Sequence, residues 1–222
     1  MARSTISTDL QVSGTVTATG LNLSTGTITG AMLAPNAEVQ RTQLKQEPLV
    51  EFPVNLTDLR VHDALATTLP ATPAADDLGL DNGTFGTEAP HVTAGDLKAA
   101  GATTRYARFL LALPENYDDA ETLQLRINAV MGTTVADTSC DLDVEVYETA
   151  SDLTVGSDLC ATAATDMNSL TAANKDFTIT ATGLASGDVL DVRVSIACND
   201  AATGTAVEPI LTKISLLADC RG

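Results

Sequence analysis

The sequence contains no tryptophan, and aromatic residues make up only 3% of its 222 positions. None of the seven aromatic residues precedes Phe52 or follows Phe177. A glycosidase needs two carboxyl groups that converge across a cleft, and sugar-binding clefts add aromatic rings that stack on the sugar. This scarcity argues against a glycosidase and weakens the interpretation of the chain as a carbohydrate-binding module.

Basic residues are also scarce. The chain has 12 Lys and Arg against 29 Asp and Glu, which gives a formal net charge of −17. Acids and bases balance before Pro48, so the whole excess of negative charge lies in the remainder of the chain. A nucleic-acid partner requires clustered Lys and Arg, and no such cluster exists here. We interpret the acids as a solvated, aggregation-resistant surface rather than as a specific cation site.

No long apolar run is present. A membrane span needs about 20 consecutive apolar residues, and no stretch approaches that length. The opening "MARSTISTDLQV" lacks the apolar region of a secretory signal. We therefore expect a soluble protein that is synthesised in the cytoplasm and has no membrane partner.

The chain has four cysteines, at Cys140, Cys160, Cys198 and Cys220. No CxxC pair exists, and His62 and His91 are far from all four in the sequence, which argues against a zinc site. We interpret the cysteines as small buried hydrophobic residues. A disulfide such as Cys198–Cys220 is the alternative.

Residues 1–33 are rich in Thr, Ser and Gly, as in "SGTVTATGLNLSTGTITG". This composition favours short strands and turns. Burying each aliphatic residue would contribute roughly 1.5–3 kcal/mol, which does not offset about 1–2 kcal/mol of backbone ordering for every residue. The segment is thus predicted to be a β-arm that becomes ordered against other copies or another surface. The alternative is a flexible tail. The predicted contact residues are Leu10, Val12, Val16, Leu21, Leu23, Ile28 and Leu33.

Residues 34–47 are predicted to be a linker, with Pro35 near its start and Pro48 directly after it, and a domain is predicted over residues 48–222. A period of two in apolar residues predicts strands in four of its segments, "ETLQLRINAVM", "CDLDVEVYE", "DVLDVRVSIAC" and "EPILTKISLLADC", and it is nearly pure in the second. The apolar residues of this period are predicted to face the core, from Leu123 to Met131, Cys140 to Val146 and Leu190 to Cys198 in the first three segments. In the last segment the predicted inward residues are Ile210, Ile214, Leu216, Ala218 and Cys220. Further strands are predicted around "LTDLRVHDAL", "GTFGTEAPHVT", "RYARFLLALP" and "DFTITATG". A sheet with one solvent-facing side and one core-facing side is typical of an antiparallel sandwich. The predicted fold is all-β, a jelly-roll-like β-sandwich preceded by the arm. Residues 149–176 break the alternation and are predicted to hold a short helix or an edge hairpin.

No pattern in the sequence indicates catalysis. His62 and His91 each lack a companion at metal-ligand spacing and are interpreted as structural residues. Oxygen ligands for a calcium ion are available in "DDLGLDNGTFG" from Asp76, Asp77, Asp81 and Asn82, but the spacing differs from an EF-hand. "DNG" is a common tight turn, in which Asn82 and Gly83 are expected to adopt positive φ. The carboxylates of "PENYDD" are likewise interpreted as an acidic turn. We expect no enzyme activity, no cofactor and no metal.

The opening "LQVSGTVTATGLNLSTGTITGAMLAPNA" resembles the strand segments that begin bacteriophage fibre, spike and decoration proteins. The stretches "LPATPAADDLGLDNGTFGTEAPHVTAGDLKAAGATTRYARFLLALPENYDDAETLQLRINA" and "DFTITATGLASGDVLDVRVSIACNDAATGTAV" resemble small β-sandwich proteins of tailed phages. The resemblance covers most of the chain, but its motifs are fold signals and carry no functional residues.

This resemblance implies a virion structural protein, and its size fits a capsid decoration (cement) protein. The implied partners are the major capsid protein and further copies of the chain in a homotrimer on the capsid surface. The alternative is a tail-fibre, spike or head-fibre adhesin module that binds a host-surface glycan.

Overall fold

The computed structural model describes residues 49–149, 152–201 and 204–220, which belong to one compact unit. The predicted arm, its seven contact residues and the linker at 34–47 lie outside the described residues. The prediction that a domain spans residues 48–222 stays a prediction.

Twelve strands form among the described residues. The first six are β1 (Val50–Val54), β2 (Arg60–Val61), β3 (Ala64–Thr68), β4 (Gly79–Asp81), β5 (His91–Thr93) and β6 (Gly101–Ala112). The others are β7 (Leu123–Met131), β8 (Ser139–Glu148), β9 (Thr165–Asp166), β10 (Ala173–Ile179), β11 (Val189–Asp200) and β12 (Pro209–Ala218). A single 3-10 turn, Leu56–Asp58, supplies the helical structure of the described residues. None of the described residues forms a helix with the length and apolarity that crossing a membrane requires.

The strands pair into two antiparallel sheets. Sheet A has the order β10-β7-β12-β5-β4, with β1 also paired to β12, and sheet B has the order β3-β2-β6-β11-β8-β9. Side chains from both sheets meet in one hydrophobic core, which includes Phe109 of sheet B and Phe177 of sheet A. The predicted all-β antiparallel sandwich is confirmed.

Buried and outward-facing residues alternate strictly along most of three strands, β7, β8 and β11. In β7 the residues from Leu123 to Met131 are buried at every second position, and β8 and β11 show the same pattern. Each fully buried aliphatic side chain contributes about 1.5–3 kcal/mol. The predicted inward faces of these three strands are therefore confirmed, and their outward faces remain available for other roles.

The prediction for β12 is wrong at its first inward residue. Leu211, not Ile210, is buried, whereas Ile214 and Leu216 face the core as predicted. The pairing of β12 with β7 shifts register between Leu211 and Lys213. Such a bulge inserts one extra residue, so the positions that face the core are odd-numbered on one side of it and even-numbered on the other. Alternation alone does not reveal the insertion.

The four less regular segments predicted as strands all contain strands, namely β2 with β3, β5, β6 and β10. The irregular segment from 149 to 176 holds the two-residue edge strand β9 beside β8, and its end begins β10. Of the two predicted alternatives, the edge hairpin is closer to the observed structure than the short helix, since no helix forms in the described part of that segment.

Candidate functional site

The outward side chains of sheet B stand in ordered rows, because β11 pairs without a register shift with both β6 and β8. Arg193 of β11 lies between Arg108 of β6 and Glu145 of β8. In the adjacent row, Asp191 of β11 is the direct neighbour of Tyr147 of β8. Three strands that are distant in sequence thus bring charged and aromatic side chains onto one surface.

Both arginines of this surface are held by carboxylates. Nε of Arg108 donates to Oδ1 of Asp191 at 2.7 Å and Nη2 donates to Oδ2. The hydrogen bond from this carboxylate raises the pKa of Arg108. Nε and Nη2 of Arg193 both contact one oxygen, Oε2 of Glu145, and its guanidinium lies 5.1 Å from the ring centre of Tyr106. Bidentate pairing orients the guanidinium of Arg108, and the carboxylate together with ring stacking orients that of Arg193.

One side of the surface is bounded by His62, in the turn between β2 and β3. The imidazole centre lies 4.8 Å from that of Tyr106. Its Nδ1 is 3.2 Å from Oδ1 of Asp77, and its Nε2 is 3.6 Å from Oδ2 of Asp76. The backbone oxygen of His62 accepts a hydrogen bond from Nη1 of Arg108 at 3.4 Å. These contacts join the turn to the face of sheet B.

The opposite side is formed by the chain that follows β8. Leu153 and Val155 stand in solvent, 91% and 75% exposed, beside the phenol of Tyr147. The backbone here is held by Asp152, whose Oδ1 accepts from the Thr154 N–H at 3.0 Å and from its hydroxyl at 2.7 Å. Two large aliphatic side chains exposed next to an aromatic ring make an apolar rim.

Between the two sides lies a concavity of about 440 Å³, which we call the sheet-B groove. Its lining includes His62, Arg108, Tyr147, Leu153, Val155 and Arg193. This volume is within the range of small-molecule sites, roughly 300–1,000 Å³. The groove offers guanidinium donors, carboxylate acceptors, one aromatic ring and two aliphatic side chains, which suits a ligand with both hydroxyls and apolar faces.

His62 has companions that the sequence did not reveal. One ligand atom from each of His62, Asp63 and Asp77 lies within 4.8 Å of the others. Imidazole and carboxylate ligands suit zinc or manganese, so these three residues are a candidate set for a metal ion. A hydrogen bond between His62 and Asp77 accounts for their proximity without one. His62 has no companion at metal-ligand spacing in the sequence, and the fold brings Asp77 beside it.

The acidic segment "DDLGLDNGTFG", predicted as either a turn or a calcium site, has its carboxylates in two separate places. Asp76 and Asp77 lie beside His62, whereas Oδ1 of Asp81 accepts a hydrogen bond from the Gly83 N–H at 2.7 Å. Gly83 has φ of +60°, while Asn82 lacks the positive φ expected for it. The turn interpretation is confirmed for Asp81 and Gly83, with the positive φ at the glycine alone.

The remaining candidates have structural partners. His91 is 8% exposed and its Nδ1 lies 3.1 Å from the Ala89 carbonyl oxygen. In the turn "PENYDD", Tyr117 is fully buried and Asp119 accepts a hydrogen bond from the Ser186 N–H at 2.9 Å. The structural interpretations of His91 and of this acidic turn are confirmed.

A second concavity, of about 410 Å³, lies against the loop that joins β4 to β5. Its lining includes Phe85, which is fully exposed, together with Glu88 and Pro90. In contrast to the sheet-B groove, its described lining residues include no arginine or histidine. Phe85 therefore supplies an exposed aromatic ring that is separate from the sheet-B groove.

The residues of the sheet-B groove were not identified from the sequence. Alternation shows that Arg108, Tyr147 and Arg193 face outward. It does not show that β11 lies between β6 and β8, and this strand order is what makes the three side chains neighbours. A signal in the sequence is the occurrence of Tyr147 and Arg193 at outward positions of the acidic strands β8 and β11.

No protein-family model and no curated protein sequence matches the chain. Among solved structures it is similar to the xylan-binding module CBM15, with 16% identity, a TM-score of 0.42, and coverage of 78% of this chain and 99% of that one. It is also similar to the CBM22-1 xylan-binding domain of Xyn10C from Paenibacillus barcinonensis, with 10% identity, a TM-score of 0.37, and coverage of 66% and 83%.

A third similar structure is the enzymatically active domain of tailspike protein 4 from bacteriophage CBA120. Identity is 7%, the TM-score is 0.36, and the alignment covers 74% of this chain and 20% of that one. All three likenesses are too remote to assign a ligand or an activity to this chain. The function is therefore argued from the groove itself.

Proposed function

We propose that the β-sandwich binds a neutral oligosaccharide in the sheet-B groove. The observation that carries the proposal is the placement of Tyr147 and two exposed aliphatic side chains beside two carboxylate-paired arginines. A sugar ring has an apolar C–H face that packs on an aromatic ring, and its hydroxyls both donate and accept hydrogen bonds. The groove matches both kinds of surface.

The polar groups of the groove are held in place before a ligand arrives. Arg108 is locked by Asp191 and Arg193 by Glu145, so binding does not have to order these long side chains. Side-chain ordering otherwise costs about 0.5–1.5 kcal/mol for each flexible side chain that a ligand immobilises. Pre-oriented donors and acceptors therefore favour a ligand that is recognised through hydroxyl groups.

The charge balance of the groove favours a neutral sugar over an acidic one. Each arginine that lines it is already paired with a carboxylate, and Glu148 adds a further acid. An anionic sugar would have to displace an existing partner within a chain of net charge −17. A neutral oligosaccharide encounters no such competition.

A glycan microarray probed with the full-length chain tests the proposal, followed by calorimetric titration with the best neutral ligand. With a single ring in the groove, we expect a dissociation constant of roughly 0.1–1 mM. Tyr147→Ala should weaken binding about tenfold, because the stacking surface is lost. The matched control is Phe85→Ala, which removes an exposed ring outside the groove and should leave binding unchanged. Equal losses in both variants, or no binding to any neutral glycan, would contradict the proposal.

Glycan binding corresponds to the adhesin alternative that the sequence raised. The capsid-decoration role, with a homotrimer and the major capsid protein as partners, depends on residues 1–33 and stays a prediction. The two roles are compatible, since one would use the arm and the other the outward face of sheet B. Virion location and the absence of enzyme activity likewise stay predictions.

A further inference from the structure

Two cysteines from different strands lie side by side in the core. The register of β8 with β11 makes Cys140 and Cys198 direct cross-strand partners. Both side chains face the interior, with exposures of 0% and 2%. Cross-strand register and a shared buried face are two separate features that select this pair.

The other two cysteines lie elsewhere. The backbone of Cys160 pairs with that of Ile179 of β10 in an isolated β-bridge, and the backbone of Cys220 pairs in the same way with that of Tyr117. The pairing Cys198–Cys220, the alternative raised by the sequence, is therefore not the one that the fold brings together. All four thiols are free in the structure.

We infer that Cys140 and Cys198 are a site of covalent modification, at which oxidation forms a disulfide across β8 and β11. Directly opposed residues of antiparallel strands have Cα atoms about 4.5–5.5 Å apart, within the range of roughly 4.4–6.8 Å that disulfides occupy. Rotation of the two side chains toward each other closes the bond, and the strands keep their positions.

The oxidant is a small disulfide such as oxidised glutathione. One cysteine thiolate attacks it, forming a mixed disulfide and releasing one glutathione thiolate. The second cysteine thiolate then attacks the protein sulfur and releases the second glutathione. Two protein thiols lose two protons and two electrons, and the glutathione disulfide is reduced to two thiols.

The pair favours one thiolate as the first nucleophile. The neighbouring Cys140 thiol holds the pKa of Cys198 below its ordinary value, whereas the Cys198 sulfur and burial raise the pKa of Cys140. Because both sulfurs are buried, the oxidant reaches them when the strands separate or during folding. The pair lies one position from the Ser139 end of β8, where opening of the strands requires least disruption.

The test is refolding of the reduced full-length chain from urea, at low concentration, in a buffer of reduced and oxidised glutathione. Free thiols are counted in denaturant, and a non-reducing peptide map identifies the crosslink. We expect the count to fall from four to two, with Cys140 joined to Cys198. Four remaining thiols, or a link that includes Cys160 or Cys220, would overturn the inference.

Two variants make the result specific. The double variant Cys160→Ser, Cys220→Ser should still form the crosslink, and Cys198→Ala should form none. Because the bond closes a long loop, the oxidised wild-type chain should melt roughly 5–15 °C above the reduced chain. An equal or lower melting temperature would show that the bond strains the sheet, and the inference would fail.

Discussion

Glu145 and Arg193 are direct cross-strand neighbours whose side chains form an ion pair on the outward face of sheet B. The pair neutralises a guanidinium that lines the proposed binding groove. Its effect on ligand choice is open to direct measurement.

Glu145→Gln should give the groove an affinity for acidic sugars. The substitution keeps the shape of the side chain and leaves Arg193 with an uncompensated charge. We expect binding of a carboxylated oligosaccharide to strengthen about three- to tenfold, while its neutral counterpart changes little. Titration calorimetry with the two ligands measures both effects.

The control for that experiment is Glu51→Gln. Glu51 pairs with Lys213 in sheet A, at 2.6 Å, so the variant makes the same change of charge away from the groove. It should leave both affinities unchanged. A wild-type chain that already prefers the acidic sugar would contradict the assignment of a neutral ligand.

Tyr117 should make the domain less stable in alkali. Its hydroxyl donates to the Glu121 carbonyl oxygen at 2.7 Å. Burial, reinforced by the carboxylates of Glu121 and Asp119, raises its pKa to about 12. Because the folded pKa exceeds that of the unfolded chain, about 10, the stabilisation is complete below pH 10. It is lost as the pH rises toward 12, by about 2–3 kcal/mol.

Urea denaturation at a series of pH values between 8 and 12 measures this loss. Tyr117→Phe removes both the titrating group and its hydrogen bond, so the variant starts about 1 kcal/mol less stable at pH 8. Its stability should then fall less steeply than that of the wild type. If the free energy of unfolding fell equally with pH in the wild type and in Tyr117→Phe, Tyr117 would not titrate in this range.

Gly83→Ala should destabilise the domain more than Gly86→Ala, although both glycines have positive φ. A Cβ at Gly83 would lie 2.4 Å from the backbone oxygen of Glu88, whereas at Gly86 nothing lies within 4 Å. The left-handed conformation alone costs about 1–2 kcal/mol. We expect about that cost for Gly86→Ala and at least about 3 kcal/mol for Gly83→Ala, from the free energy of unfolding in urea. Equal costs would mean that the loop moves to accept the methyl group.

The inward faces of β7, β8 and β11 were predictable because a period of two leaves few alternatives once the apolar residues are marked. The bulge in β12 was not, since Thr212 resembles any other polar position in the sequence. An inserted residue is stabilised by the pairing of β12 with its neighbours, which is a tertiary effect. This insertion is the reason why Leu211, and not the predicted Ile210, faces the core.

The candidate site was less predictable than the fold. The contact between His62 and Asp77 requires that two turns meet, and that between Arg108 and Asp191 requires β6 beside β11. Neither follows from local pattern. What the sequence indicated correctly is the local structure at single positions, such as the turn at Gly83.

The predicted arm can be tested by truncation. If residues 1–33 hold copies together, the full chain should elute as a trimer and a fragment of residues 48–222 as a monomer, with masses from light scattering at several concentrations. The fragment should still bind the oligosaccharide, because the groove belongs to residues 62–193. A fragment that still forms trimers would show that the arm has another role.

A ¹⁵N-resolved NMR titration of the full-length chain with the neutral oligosaccharide selected on the array tests the proposed binding site most directly. We expect saturable shift changes at the amides of Arg108, Tyr147, Val155 and Arg193, with no change in the loop around Phe85. Shift changes confined to other surfaces, or none at saturating ligand, would contradict it.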